Sequence, residues 1–238
     1  MEILSGHMAY AEILLAIFVP VAAISFLTPF SRVRRYRPLI VSIAAVAPVY
    51  ILWDELAVVF GTWKFDPAHV LGIYFFYIPV EEVAFFLVVP FSTLLIFEAL
   101  DNYVKGTLPC RGTVAAASIS IVLLVILGVL NTSRSYTSVA SFFSAGSLAL
   151  GLIVDRRLLV KKSLWAFLVV SYIPFVFFDH LMVTAPIFTY GRGAITGIRV
   201  AGIPVEEFEY VFSLLLNYAV AYDVSARFLS SRRASEGQ

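Results

Sequence analysis

The chain has 238 residues, of which 61% are hydrophobic and only 14% charged, with a net charge of +1. Soluble domains carry roughly 45–50% apolar and about 25% charged residues, so the composition fits lipid as the solvent. Seven spans of about 20 residues each leave no room for a separate soluble catalytic domain. The lone Cys110 excludes an internal disulfide, no Cys/His cluster has metal-ligand spacing, and the charge balance makes no case for nucleic acid.

In chain order, apolar stretches long enough to cross a bilayer are expected at 9–30, 38–60, 78–100, 112–130, 136–155, 163–184 and 203–228. The first lacks the basic start and small-residue cleavage site of a signal peptide and reads as a retained helix. The expected fold class is therefore an all-α integral membrane protein of about seven helices. Two longer aromatic loops, about 61–77 and 185–202, fall on one side. With the N-terminus outside, the cytoplasmic segments carry Arg32, Arg34, Arg35, Arg37, Lys105, Arg111, Arg156, Arg157, Lys161, Lys162, Arg227, Arg232 and Arg233, against Lys64, Arg134, Arg192 and Arg199 opposite. That bias predicts a multi-pass protein of the cell membrane with its C-terminus in the cytoplasm.

The sequence repeats itself. Ile78-Pro79-Val80-Glu81-Glu82 recurs as Ile203-Pro204-Val205-Glu206-Glu207, and the same offset of 125 carries Asp54 onto Asp179 and Gly72-Ile73 onto Gly197-Ile198. The expected organisation is a first repeat at 1–105, a connector helix at 106–133, a second repeat at 134–230 and a polar tail at 231–238. Two three-helix units joined by one helix run parallel and are related by an axis along the membrane normal. Equivalent residues then share a depth, which gathers Glu81, Glu82, Glu206, Glu207, Asp54 and Asp179 into one layer in the outward half.

A Pro followed by Glu in the first turn is in isolation an ordinary helix start. Six ionisable groups in spans exceed that need, since each costs about 2.5–3.5 kcal/mol to insert. Helical spacing assigns the inward position to Glu206, whose stripe is Tyr210, Ser213 and Asn217, and by repeat to Glu81, with Glu82 and Glu207 tuning them. Carboxyl groups in a dry aromatic pocket suit carbocation chemistry. An acid protonates an alkene, ring faces and a carboxylate stabilise the cation, and a base removes a proton.

Pro79-Val80-Glu81-Glu82 and Pro204-Val205-Glu206-Glu207 resemble the Pro-x-Glu-(Glu/Asp) motif found once per half in membrane lycopene cyclases of the heterodimeric bacterial, fused archaeal and fungal type. The resemblance covers nearly the whole chain in its fused form. It implies an isomerase that converts the ψ-ends of lycopene to β-rings, giving γ-carotene and then β-carotene, with the motif glutamates catalytic and no cofactor or metal. It also implies a lipid-soluble carotenoid substrate taken from membrane lipid, no nucleic acid, and scope for contact with other carotenoid-pathway enzymes. Gly191-Arg192-Gly193 has no Rossmann strand before it to make a dinucleotide fingerprint and reads as a turn.

The alternative is a proton-coupled small-molecule transporter with the same 3+1+3 plan. Small sugar carriers of that plan share a Pro-Gln pair, whereas the only glutamine here is Gln238. A retinal Schiff base is excluded because Lys64, Lys105, Lys161 and Lys162 all fall in loops.

Overall fold

The computed structural model describes residues 6–236. Its helices are α1 (Ala9–Phe26), α2 (Phe30–Val33), α3 (Tyr36–Val59), α4 (Val80–Tyr103), α5 (Cys110–Leu130), α6 (Ser135–Val154), α7 (Arg156–Leu159), α8 (Lys162–Thr184) and α9 (Val205–Glu236). The aromatic loops hold six short strands: β1 (Trp63–Phe65), β2 (Tyr74–Phe75), β3 (Ile78–Pro79), β4 (Phe188–Tyr190), β5 (Arg199–Val200) and β6 (Ile203–Pro204).

Among the described residues six helices, α1, α3, α4, α5, α6 and α8, are long and apolar enough to cross a membrane, so this is a multi-pass membrane protein. The seventh expected span is α9, which carries Glu206, Glu207, Glu209, Asn217 and Asp223. It packs against α3, α4, α6 and α8, and Leu214, Leu215, Leu216, Tyr218, Ala219 and Val220 are all buried. Neighbouring helices satisfy polar groups that lipid would penalise, which lets the central helix be the least apolar one. α9 continues to Glu236 through most of the stretch expected as a tail, while 237 and 238 lie outside the described residues.

The repeat is written into the backbone. Each half ends its aromatic loop in a tight hairpin, with Phe75 opposite Ile78 and Val200 opposite Ile203. Phe76 and Ala201 hold φ near 50° and 53° at equivalent turn positions. The hairpin then delivers a proline, at extended ψ in Pro79, into the start of α4, the place where a missing N–H costs nothing. Val80 and Val205, the first residues of α4 and α9, donate to the carbonyls of Ile73 and Ile198 at 2.9 and 3.1 Å.

The halves interlock. α3 of the first repeat packs on α9 of the second, and its counterpart α8 packs on α4. Over the hairpin end, β1 pairs antiparallel with β4, Lys64 opposite Thr189 at the centre and Trp63 and Phe65 opposite Tyr190 and Phe188. The central pair, Lys64 and Thr189, is related by the repeat offset, and the flanking pairs exchange under it, as a two-fold axis through the centre requires. Just beyond, the Gly191 N–H donates to the Thr62 carbonyl at 2.8 Å, and a Cβ on Gly191 would run into the carbonyl oxygen of Gly61. Gly191→Ala is therefore expected to force this roof apart at a cost of about 1–3 kcal/mol, read as a lower unfolding temperature in detergent.

Candidate functional site

Four of the six acids expected from the sequence meet beneath the β1–β4 roof. Asp54 comes from the last turns of α3, Glu82 from the first turn of α4, Asp179 from the last turns of α8 and Glu207 from the first turn of α9. All four are buried. They line one cavity of about 50 Å³ together with Tyr10, Trp63, Phe65, Phe85, Tyr136, Met182, Phe188 and Tyr210. A buried carboxyl group needs hydrogen-bonding partners, and tyrosines supply them. The Tyr10 hydroxyl donates to Glu82 Oε2 and Tyr190 to Glu207 Oε1, both at 2.6 Å, and Tyr210 donates to Asp54 Oδ1 at 3.3 Å. Burial, then the charges of Glu207 and Asp179, push the Tyr190 phenol well above its ordinary value, which keeps its proton available for Glu207. Asp54 and Glu82 lie within hydrogen-bonding reach of each other. Asp179 Oδ2 has no hydrogen-bond partner among the described residues.

Glu81 and Glu206 do not take the inward position that the polar stripe assigned them. Each is buried and turned back toward its own loop, where Glu81 Oε1 accepts the Leu71 N–H and Glu206 Oε1 accepts the Thr196 N–H, both at 2.6 Å. These are equivalent bonds in the two repeats, and Glu206 also accepts the Thr137 hydroxyl at 2.7 Å. Their geometry is that of a clamp joining helix start to loop. Glu206→Gln keeps an acceptor oxygen and is expected to retain most of the activity, whereas Glu206→Ala leaves two donors unanswered at about 1–3 kcal/mol. Comparing product yield per folded protein in the two variants checks this.

A second, larger space adjoins the first and shares part of its lining. An apolar groove of about 580 Å³ runs between α1 and α8 over a floor of α4 and α9, lined by Ala16, Ile17, Pro20, Phe85, Val89, Ile96, Pro174, Phe178, Val211 and Leu214 among others. Along α4 it extends from Phe85 to Leu100, about 22 Å at 1.5 Å per residue. Asp179, Glu207 and Tyr210 line both spaces. The groove can hold a long apolar chain and bring its end to carboxyl groups.

Several groups here were not singled out by the sequence. Tyr10 lies in an unremarkable apolar helix, and Tyr136 starts another, within hydrogen-bonding reach of Glu207. Glu209, third in its run of acids, accepts the Ser141 hydroxyl at 2.8 Å on the α6 side, away from the cavity. A tyrosine spaced along an apolar helix carries no signal until its partner acid is placed.

No curated protein and no solved structure matches the chain. Comparison with protein families matches it to "Lycopene cyclase" twice, over residues 7–100 and again over 133–225. Each matched segment contains one Pro-Val-Glu-Glu hairpin start and one aspartate of the cavity, Asp54 or Asp179, and the two cover more than three quarters of the chain. A doubled unit that ends an apolar groove on buried acids thus coincides with a doubled match, and the chain belongs to the lycopene cyclase family.

Proposed function

We propose that this enzyme converts the ψ-ends of lycopene to β-rings, with proton donor and acceptor drawn from the cluster of Asp54, Glu82, Asp179 and Glu207. The observation that carries this reading is the continuity of the apolar groove with the carboxyl cluster. The acid adds a proton to the terminal double bond and leaves a tertiary cation. A second double bond of the same end attacks it, closing the ring through one new carbon–carbon bond. A carboxylate then takes the proton next to the new cation, leaving the ring double bond. Substrate and product are isomers, so no electrons are exchanged.

Phe85 and Tyr210 line both the groove and the inner cavity and present ring faces and edges to the passing cation. The same walls keep out bulk water, which would trap it as an alcohol. Glu81 and Glu206 hold the hairpins that start α4 and α9 and thereby set the depth of Glu82 and Glu207. The hairpin end faces outward and the arginine-rich end the cytoplasm, by the charge bias of the loops.

The test is expression in a lycopene-accumulating host followed by pigment chromatography. A one-ringed product that rises early and then declines as a two-ringed product accumulates is the expected result. Unchanged lycopene in membranes rich in the protein would overturn the reading and favour a proton-coupled carrier.

A further inference from the structure

The two repeats supply equivalent acids, yet among the described residues the groove serves only one of them. The groove lined by α1 and α8 reaches Asp179 and Glu207, and neither Asp54 nor Glu82 lines it. The repeat places its counterpart between α6 and α3, and there the space is filled. Tyr50 and Trp53, the counterparts of groove-lining Phe175 and Phe178, pack on Tyr210 with centroids 5.6 and 5.0 Å away, and Phe143 closes on Trp53 at 3.9 Å. Ser141, the counterpart of groove-lining Ala16, is tied to Glu209 on α9, and Ser144 donates to the Glu209 carbonyl.

Size separates the two spaces. A dry cavity that admits benzene measures about 150 Å³, and a water molecule takes about 30 Å³ of liquid. The inner cavity of about 50 Å³ is too small for a methylated six-membered ring and matches one or two waters. Ring closure therefore belongs at the inner end of the groove, against Asp179, Glu207, Tyr210 and Phe85, with Asp54 and Glu82 behind it.

Resting on the cyclase reading above, we propose that the acids divide by repeat. Asp179 and Glu207 are the catalytic pair that touches the substrate, and Asp54 and Glu82 never touch it. These two, with Tyr10 and Tyr210, position and return the proton through the inner cavity between turnovers. The balance requires such a step. Each ring closure consumes a proton from one carboxyl group and deposits one on another, so the donor is left ionised and the acceptor protonated until the proton is passed back. A hydrogen bond between the Asp54 and Glu82 carboxyls needs one proton, which makes the pair a store able to give one up and take one back. All four acids line the cavity through which it travels.

Rapid-quench turnover of lycopene by purified wild type, Glu82→Gln, Asp54→Asn, Glu207→Gln and Asp179→Asn separates the roles. Wild type turning over steadily establishes the cyclase reading by itself, and wild type forming no ring defeats that reading. Given an active wild type, Glu82→Gln and Asp54→Asn are expected to form rings in a first burst approaching one per protein and then slow at least tenfold. Glu207→Gln and Asp179→Asn should show no burst. The burst amplitude counts folded, competent sites, whereas a merely misfolded variant turns over steadily without a burst, in proportion to its folded fraction. The proposal is overturned if the first turnover and the steady state fall together in Glu82→Gln and Asp54→Asn, if these variants match wild type, or if Glu207→Gln and Asp179→Asn retain a burst.

Discussion

Glu207→Gln is expected to lower ring formation by on the order of 10²–10⁴-fold, the usual worth of a positioned general acid or base, with the protein still folded. The amide is nearly isosteric with the carboxyl group, and its oxygen can accept from Tyr190, whose hydroxyl donates to Glu207 Oε1 at 2.6 Å. What it cannot do is deliver or take a proton. Glu207 lines both the groove and the inner cavity, so the loss falls where substrate and proton path meet. Carotenoid profiles normalised to protein in the membrane read the effect, and wild-type product from Glu207→Gln would remove this residue from the mechanism.

Arg34→Ala is expected to be the most destabilising single change, costing about 3–5 kcal/mol, the range for breaking a buried ion pair from one side. Arg34 Nη1 meets Glu98 Oε2 at 3.1 Å with both side chains essentially out of solvent. Its Nη2 donates to the Phe91 carbonyl at 2.7 Å, and the guanidinium lies 4.4 Å from the Phe91 ring. The same Glu98 accepts the Arg35 N–H at 2.8 Å and the Tyr222 hydroxyl, tying the start of α3, the end of α4 and α9 into one knot at the end away from the acids. Alanine would leave Glu98 buried with its cation gone. Arg34→Lys should recover only part, because one ammonium cannot serve the carboxylate and the carbonyl in the guanidinium's planar geometry. Unfolding midpoints in detergent rank the three proteins.

Most of the architecture was legible because lipid imposes it. A span must be long and apolar, and an exact five-residue repeat cannot hide in 238 residues. The side each glutamate faces was not legible, for a reason specific to an apolar substrate. The stripe Tyr210, Ser213 and Asn217 suggested a lumen, but much of it is spent on α3: Tyr50 donates to Ser213 at 2.8 Å, and Asn217 donates to Tyr50 at 3.0 Å. The face that continues from Glu207 is Tyr210, Val211 and Leu214, and from Glu82 it is Phe85, Val89 and Ile96, the residues that line the groove. An acid that serves a hydrocarbon sits at the head of a greasy stripe, and polarity along the helix points away from it. Glu81 and Glu206 were ambiguous for a second reason, since holding a loop N–H and protonating an alkene both call for a carboxyl group in the first turn.

The central pairing of β1 with β4 also governs which halves would choose each other. Because it is centred on equivalent residues, Lys64 opposite Thr189, either half could in principle join a copy of itself in the same register. Two first halves would then set Lys64 against Lys64, and like charges directly opposite on paired strands repel. Two unlike halves set one lysine against one threonine. A single charge at the symmetry centre is thus enough to make the mixed pair the preferred one, so a chain severed within its connector would still sort its pieces into unlike couples.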